Sequence, residues 1–345
     1  MAPRLLVVDL AARSKNWALM PEGERQIAAA TPGGWRVHVV RSLTSSDGDG
    51  PRESSAESLG AMTDAEVYFG FGIPRPLFLA APHLKWVHSA AAGVGNALYA
   101  EMIGSPVVLS NSAGIHAHPI AEYVVGGVLH FIRGIDIVVA QQREGRWDKH
   151  FFVADDSPVR EVSGTRALVV GAGGIGGQVA VRLTALGATC VGVRRRPEQG
   201  IPAGFARVVG PDQVDVELPE ADIVVLATPL TPQSGGLMNS ARLRRMKRGS
   251  ILVNVARGAL IDEAALVDVL RQGHLRGAVL DVFQEEPLAA DSPLWQLRNA
   301  LLSPHISPVS PGRFWPRALE LFCDNWGRYD RGAPLRNLVD KQAGY

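Results

Sequence analysis

Cysteine is nearly absent: Cys190 and Cys323 stand far apart among 345 residues, with no CxxC pair and no Cys/His spacing. That argues against a disulfide framework and a structural zinc site and fits a reducing, cytoplasmic setting, and no metal site is expected. Charge of one sign is lacking too, since 35 Lys and Arg face 34 Asp and Glu for a formal charge of +1. No bulk field then favours nucleic acid or an anionic membrane, and any anion recognition has to be local. No apolar run reaches the roughly eighteen residues of a spanning helix. The opening Leu5-Leu6-Val7-Val8 run meets Asp9 at once, too soon for a secretory core, so the chain is not expected to be exported. With 46% hydrophobic residues it can still bury the cores of about two ordinary domains.

What is present alternates. Leu5 to Val8, Val37 to Val40, Val67 to Phe71, Trp86 to Val87 and Val107 to Leu109 are short β-prone runs separated by helical or turn segments, which predicts an α/β unit with a mainly parallel sheet. Ser42 to Ser58 is polar and rich in turn formers and reads as a surface loop. From His118 to Arg143, Ile120, Val124, Val128 and Phe131 keep helical spacing and predict one long helix with a buried face. After a charged and aromatic segment, Glu144 to Val162, a second series predicts strands at Ala167 to Val170, Cys190 to Val193, Ile223 to Leu226, Ile251 to Val253, Ala278 to Leu280 and Ala300 to Leu302. Helices such as Ile175 to Leu186 and Glu263 to Arg271 lie between them, a second doubly wound sheet, and a last helix is expected from Pro311 to Asp330.

Ala167 to Val170 runs into Gly171-Ala172-Gly173-Gly174-Ile175-Gly176 and then an amphipathic helix, the context in which this glycine pattern means dinucleotide binding. Gly171 allows the tight turn, Gly173 lets the backbone approach a pyrophosphate, and Gly176 lets helix and strand pack closely. Gly174 and Ile175 then open a helix whose unpaired N–H groups face the phosphates. About twenty residues on, an acid would bind a ribose 2′-OH, but here Arg194-Arg195-Arg196 follows the strand. Guanidinium groups bind a 2′-phosphate through charge-assisted, bidentate hydrogen bonds, so NADP(H) is expected ahead of NAD(H). A solvated basic turn is the plainer alternative.

Three further phrases carry chemistry: Val253-Asn254-Val255-Ala256-Arg257-Gly258, Asp281-Val282-Phe283-Gln284-Glu285-Glu286-Pro287-Leu288, and Leu302-Ser303-Pro304-His305-Ile306. With the glycine turn they resemble the D-isomer-specific 2-hydroxyacid dehydrogenases over nearly the whole chain, most weakly in residues 1 to 80. The resemblance implies two doubly wound α/β domains, a Rossmann cofactor domain (113–307) and a discontinuous flavodoxin-like substrate domain (1–112 plus 308–345), with an active-site cleft between them. It implies a homodimer formed through the long helix and the Glu144 to Val162 arm, and no further regulatory module is expected in the tail after Arg331.

Reduction of a 2-keto acid moves hydride to the carbonyl carbon while a proton goes to the developing alkoxide, which calls for a donor active near neutral pH. The resemblance makes His305 that general acid and Glu286, directly before proline, the carboxylate that orients it. Arg257 becomes the carboxylate clamp, its planar fork lying close to the reacting carbonyl. Ala256, Thr228, Pro229 and Asp281 fall to the cofactor, Asp281 as acceptor for the nicotinamide carboxamide, although a Pro-containing strand exit and a helix cap are the plainer readings of Thr228-Pro229 and Asp281. Ala91-Ala92-Gly93-Val94-Gly95-Asn96 resembles the loop whose amides hold the substrate carboxylate, giving Val94 and Gly95, with a structural turn as the alternative. His116 and His118 read as hinge or capping residues.

One departure is the rigid His305-Ile306-Ser307-Pro308 run where the family often has a small residue and glycine after its histidine. The expected activity is reduction of a small 2-keto acid of the glyoxylate or hydroxypyruvate kind, with 3-phosphoglycerate and D-lactate dehydrogenases as neighbouring alternatives. Glu286 argues against the formate branch, which pairs its histidine with an amide. A cofactor-sensing corepressor is the reading from another class, and turnover with any 2-keto acid separates the two.

Overall fold

The computed structural model describes residues 4–15, 17–43 and 54–344. The chain divides into two compact units, residues 1–116 with 310–345, and 117–309. The expected junctions after 112 and 307 lie slightly short of these. Residues 111–113 are tied into the first unit, where the Asn337 amide donates to the carbonyls of Asn111 and Ala113 and the Ser112 hydroxyl donates to the Ser89 carbonyl.

The first unit holds β1 (Arg4–Asp9), β2 (Trp35–Val39), β3 (Val67–Gly70), β4 (Trp86–Ser89) and β5 (Val108–Asn111), all parallel in the order β2-β1-β3-β4-β5. That is the flavodoxin-like arrangement. β3 and β4 are buried at every position, as strands covered on both faces must be. The helix Phe314–Asp330 returns to this unit: Phe322 stacks on Phe69 with centroids 3.9 Å apart, and Trp326 meets Trp35 edge to face. It starts after the expected Pro311, because residues 311–313 form a turn. The helix Ala56–Met62, capped by the Ser55 side chain, replaces the end of the expected Ser42 to Ser58 loop, and residues 44–53 of that loop lie outside the described residues.

The second unit holds β6 (Arg166–Val170), β7 (Thr189–Val193), β8 (Arg207–Val209), β9 (Ile223–Leu226), β10 (Ile251–Asn254), β11 (Gly277–Leu280) and β12 (Ala300–Leu302). Their order, β12-β11-β10-β9-β6-β7-β8, reverses direction between β9 and β6, the switch point of a doubly wound sheet. β8 was not foreseen; it is three residues long, pairs with β7 alone and lacks a buried run. The single long helix expected over 118–143 is instead two, Ala117–Ile132 and Ile135–Arg143, meeting at 70°. Gly134 between them adopts a left-handed φ of 69°, which ends a helix, and beyond it the apolar Ile135 and Val138 face outward. Among the described residues no single helix is long and apolar enough to cross a membrane.

His88 on β4 has no exposed surface; its Nδ1 lies 2.7 Å from Ser110 Oγ, and burial pushes the imidazole down to about 3. An unfolded histidine titrates near 6.5. Between those values the unfolded chain binds more protons, so the contribution of His88 to stability is full above about pH 6.5 and is lost as pH falls towards 3. Urea unfolding of His88→Gln between pH 7 and 4.5 should decline less steeply than wild type by about 1.4 kcal/mol per pH unit below 6.5. Parallel curves would remove His88 from the acid response.

Candidate active site

The register of the second sheet sets the site. Val193 pairs with Val170, Val170 with Leu226, Leu226 with Asn254, Asn254 with Leu280 and Leu280 with Leu302, so six parallel strands end on one row. The residues just past that row are the ones the sequence singles out: Arg194, Gly171, Thr228, Arg257, Asp281 and His305. Neighbouring strands lie about 4.8 Å apart, so groups on adjacent exits reach the same small molecule.

Gly171 and Ala172 donate their N–H groups to the Val193 carbonyl at 2.9 and 3.0 Å, which sets the turn beside the exit of β7. Gly171 has φ 111°, and a Cβ there would sit 2.4 Å from the Ala227 oxygen. Gly176 lies so close under the turn that a Cβ would come within 1.9 Å of the Gly171 oxygen, whereas one on Gly173 would meet only open space. The helix Gly174–Ala185 starts there with no side chain capping its N-terminus. Open backbone and an uncapped helix start are what an approaching pyrophosphate requires, so these residues fit a dinucleotide.

Arg194 donates from Nη2 to the Gly200 carbonyl at 2.6 Å, while its Nε is buried and has no partner. Arg195 and Arg196 are exposed beside it. Thr228 and Pro229 follow β9 against the glycine turn, and Ser234 Oγ donates to the Pro229 carbonyl.

Arg257 is exposed, on an extended backbone, and is held by Asn254, a residue to which the sequence alone attaches no role. The fully buried Asn254 accepts from the Ala256 N–H at 3.1 Å and donates to the Arg257 carbonyl at 2.9 Å. The signal for it was an Asn at a strand end, able to satisfy backbone groups two and three residues on. The Arg257 fork donates to the Ala256 carbonyl, and Ala256 is 9% exposed beneath it. Gly258 rests directly on the Phe283 backbone, where a Cβ would lie 1.8 Å from the carbonyl carbon. That contact seats the arginine loop on the segment carrying Glu286.

Glu286 Oε1 accepts from the Phe283 N–H at 3.0 Å, and Oε2 lies 2.9 Å from His305 Nδ1. One carboxylate thus binds its own loop and the histidine ring together, leaving Nε2 as the atom to meet a substrate. His305 has φ 53°, unusual for a side chain of this size. The conformation is held by Asp281, which is fully buried and accepts from Ser303 Oγ (2.6 Å), the Ile306 N–H (2.8 Å) and the Ser307 N–H (2.8 Å). Its carbonyl also takes the His305 N–H at 2.9 Å. Asp281 was expected to present its carboxylate to a cofactor, and in the structure that carboxylate organises the histidine loop. Ser303 and Ser307 in this role were not foreseen.

Val94 and Gly95 belong to the first unit. Val94 is 3% exposed and Gly95 opens a short 3-10 turn, with the Asn111 amide and the Ser89 hydroxyl bracing the preceding Ala91-Ala92 backbone. His116 stacks on Phe314, and His118 accepts from Arg182 at 3.1 Å.

Replacing Asp281 with Asn puts an amide N–H₂ among backbone donors and should lower the stability of this unit by about 3 kcal/mol. Urea midpoints read it, and an unchanged midpoint would mean that the three donors find other acceptors.

Comparison with known proteins places the chain in a family. Residues 125–307 match the family model described as D-isomer specific 2-hydroxyacid dehydrogenase, NAD binding domain. A glyoxylate reductase of Korarchaeum cryptofilum is 31% identical over 279 residues, 78% of this chain and 80% of that protein. A D-3-phosphoglycerate dehydrogenase of Methanocaldococcus jannaschii is 33% identical over 256 residues, 72% of this chain, yet the match spans only 47% of that longer protein. The crystal structure of a D-isomer specific 2-hydroxyacid dehydrogenase from Xanthobacter autotrophicus, in complex with NADPH and MES, superposes with a TM-score of 0.79 at 30% identity and full coverage of both chains.

Proposed function

The chain belongs to the D-isomer-specific 2-hydroxyacid dehydrogenases, oxidoreductases that use NAD(P), and we propose that within them it reduces a small 2-keto acid of the glyoxylate or hydroxypyruvate kind to the D-2-hydroxy acid with NADPH. The observation that carries this reading is the 2.9 Å contact between His305 and Glu286 on the same sheet edge as the glycine turn.

Bound NADPH supplies the hydride; this chain's residues do the rest. Arg257 takes the substrate carboxylate in its fork and brings the carbonyl to His305. In the first unit, the Val94 and Gly95 amides are proposed as donors to a carboxylate. His305 Nε2 delivers the proton to the carbonyl oxygen, and Glu286 on Nδ1 keeps the ring in the donating orientation. Gly171, Gly173, Gly174, Ile175 and Gly176 receive the pyrophosphate, with Thr228, Pro229 and Ala256 along the cofactor. Asp281 retains one of about four acceptor sites for a carboxamide.

Preference for NADPH over NADH rests on Arg194 to Arg196. The buried, unpartnered Nε of Arg194 is a donor that a 2′-phosphate satisfies. The two free cysteines fit a cytoplasmic setting. A homodimer is proposed through the apolar Trp147, Val153, Ile135 and Val138, whose exposures of 99%, 67%, 42% and 48% are high for side chains of this kind.

Initial rates with NADPH and NADH against glyoxylate, hydroxypyruvate, its 3-phosphate and pyruvate test the reading. NADPH-linked turnover of glyoxylate or hydroxypyruvate is expected. Preference for the phosphorylated acid would move the assignment to the phosphoglycerate branch, and absence of turnover would favour a binding role. His305→Ala should lower kcat by at least about 100-fold while NADPH still binds, as read by fluorescence titration. Arg194→Asp should lower the NADPH-to-NADH ratio by about tenfold or more, and an unchanged ratio would end the NADP assignment. Light scattering should give twice the monomer mass for wild type and the monomer mass for Trp147→Asp; a monomeric wild type would sink the dimer.

A further inference from the structure

Tyr123 has no part in the chemistry described so far. It lies on the helix Ala117–Ile132, half-buried, with its Oη 2.5 Å from Ser303 Oγ. Ser303 Oγ in turn reaches Asp281 Oδ1 at 2.6 Å. The far end fixes the direction of this chain. Asp281 gathers three donors and acts as an acceptor, so Ser303 directs its single hydrogen to the carboxylate and must accept from the tyrosine. Burial pushes the Tyr123 phenol up, which keeps its proton in place as a lasting donor.

The chain ends on one short segment. Beyond Asp281 the next bonds go to the N–H groups of Ile306 and Ser307, and the Asp281 carbonyl takes the N–H of His305. The histidine thus sits between Ser303 on one side and Ile306 and Ser307 on the other, all bonded to the same carboxylate, at a backbone φ of 53° that is uncommon outside glycine. Without the phenol, the Ser303 hydroxyl keeps one partner where it had two, so its position against Asp281 is set from one side alone. The aromatic ring itself does not need the hydroxyl to pack. Displacements well under 1 Å at a proton donor are enough to slow turnover.

We propose that Tyr123 is a positioning residue for His305, holding the loop after β12 in its working geometry through Ser303 and Asp281. The inference rests on His305 being the proton donor.

The test is steady-state kinetics of Tyr123→Phe, Ser303→Ala, Ser303→Thr, the Tyr123→Phe/Ser303→Ala double variant and His305→Gln, each with its pH profile and melting temperature. Tyr123→Phe should lower kcat about tenfold, leave KM for NADPH within about twofold, and displace the pH limb that reports the donor. Ser303→Thr, which keeps a hydroxyl, should stay near wild type. Ser303→Ala should lose at least as much as Tyr123→Phe, and the double variant should lose no more than Ser303→Ala alone, since groups acting in series are not additive. A wild-type kcat and pH profile in Tyr123→Phe would overturn the proposal even if its melting temperature fell, because that pattern is structural support alone. Multiplicative losses in the double variant would overturn it as well. An inactive His305→Gln beside an unaffected Tyr123→Phe would reject this inference and leave the donor assignment standing, whereas an active His305→Gln would remove both.

Discussion

Six parallel strands of the second sheet end in register, and the candidate site of that unit hangs on their common row. A parallel sheet leaves the backbone groups at its C-terminal edge without ladder partners, so each exit must find other bonds or present them to a ligand. Five of the six exits divide accordingly. At β6 and β7 the turn closes on itself, Gly171 and Ala172 donating to the Val193 carbonyl, and what stays open is the uncapped helix start beside a basic exit. At β10, β11 and β12 it is tied down by the side chains of Asn254, Asp281 and Glu286. One end of the edge is built to receive an anion and the other to hold side chains still.

Much of this was legible in the sequence, because the strand runs, the glycine spacing and the phrases around Arg257, Glu286 and His305 are local signals. Registers are not local, and the residues past the strand ends are named through the phrases that carry the family resemblance, not through the pairing. What escaped was what depends on contact. β8 has three residues and one neighbour, too little pattern to read. The break at Gly134 was hidden because apolar spacing continues through it, and only exposure shows that Ile135 and Val138 no longer face a core. Asn254 stood inside a quoted phrase, yet its role lies in two bonds that only the folded loop reveals.

The glycines divide by the same reasoning. Gly171, Gly176 and Gly258 are excluded from carrying a side chain by backbone atoms 2.4 Å or less from where a Cβ would sit, and no neighbour can give way there. Gly173 and Gly95 meet nothing within 4 Å. Glycine at the first three positions is therefore accounted for by the protein's own packing. At the last two it is not.

Asp281 shows how a residue's surroundings give it a role that its place in the sequence does not. A strand-terminal acid at a sheet edge reads as a group for a ligand, because its position is visible and its neighbours are not. Taking a carboxylate fully out of water carries a penalty of several kcal/mol that only direct donors offset. Three donors from the loop around His305 supply them. The dependence runs both ways: the loop holds a left-handed histidine, costing of order 1–3 kcal/mol, only while the carboxylate is there to staple it. A neutral isostere would relieve the burial cost and release the loop together. A buried charge is therefore the means by which this edge keeps His305 opposite Glu286, and an acid that served a ligand alone would have no reason to be so completely enclosed.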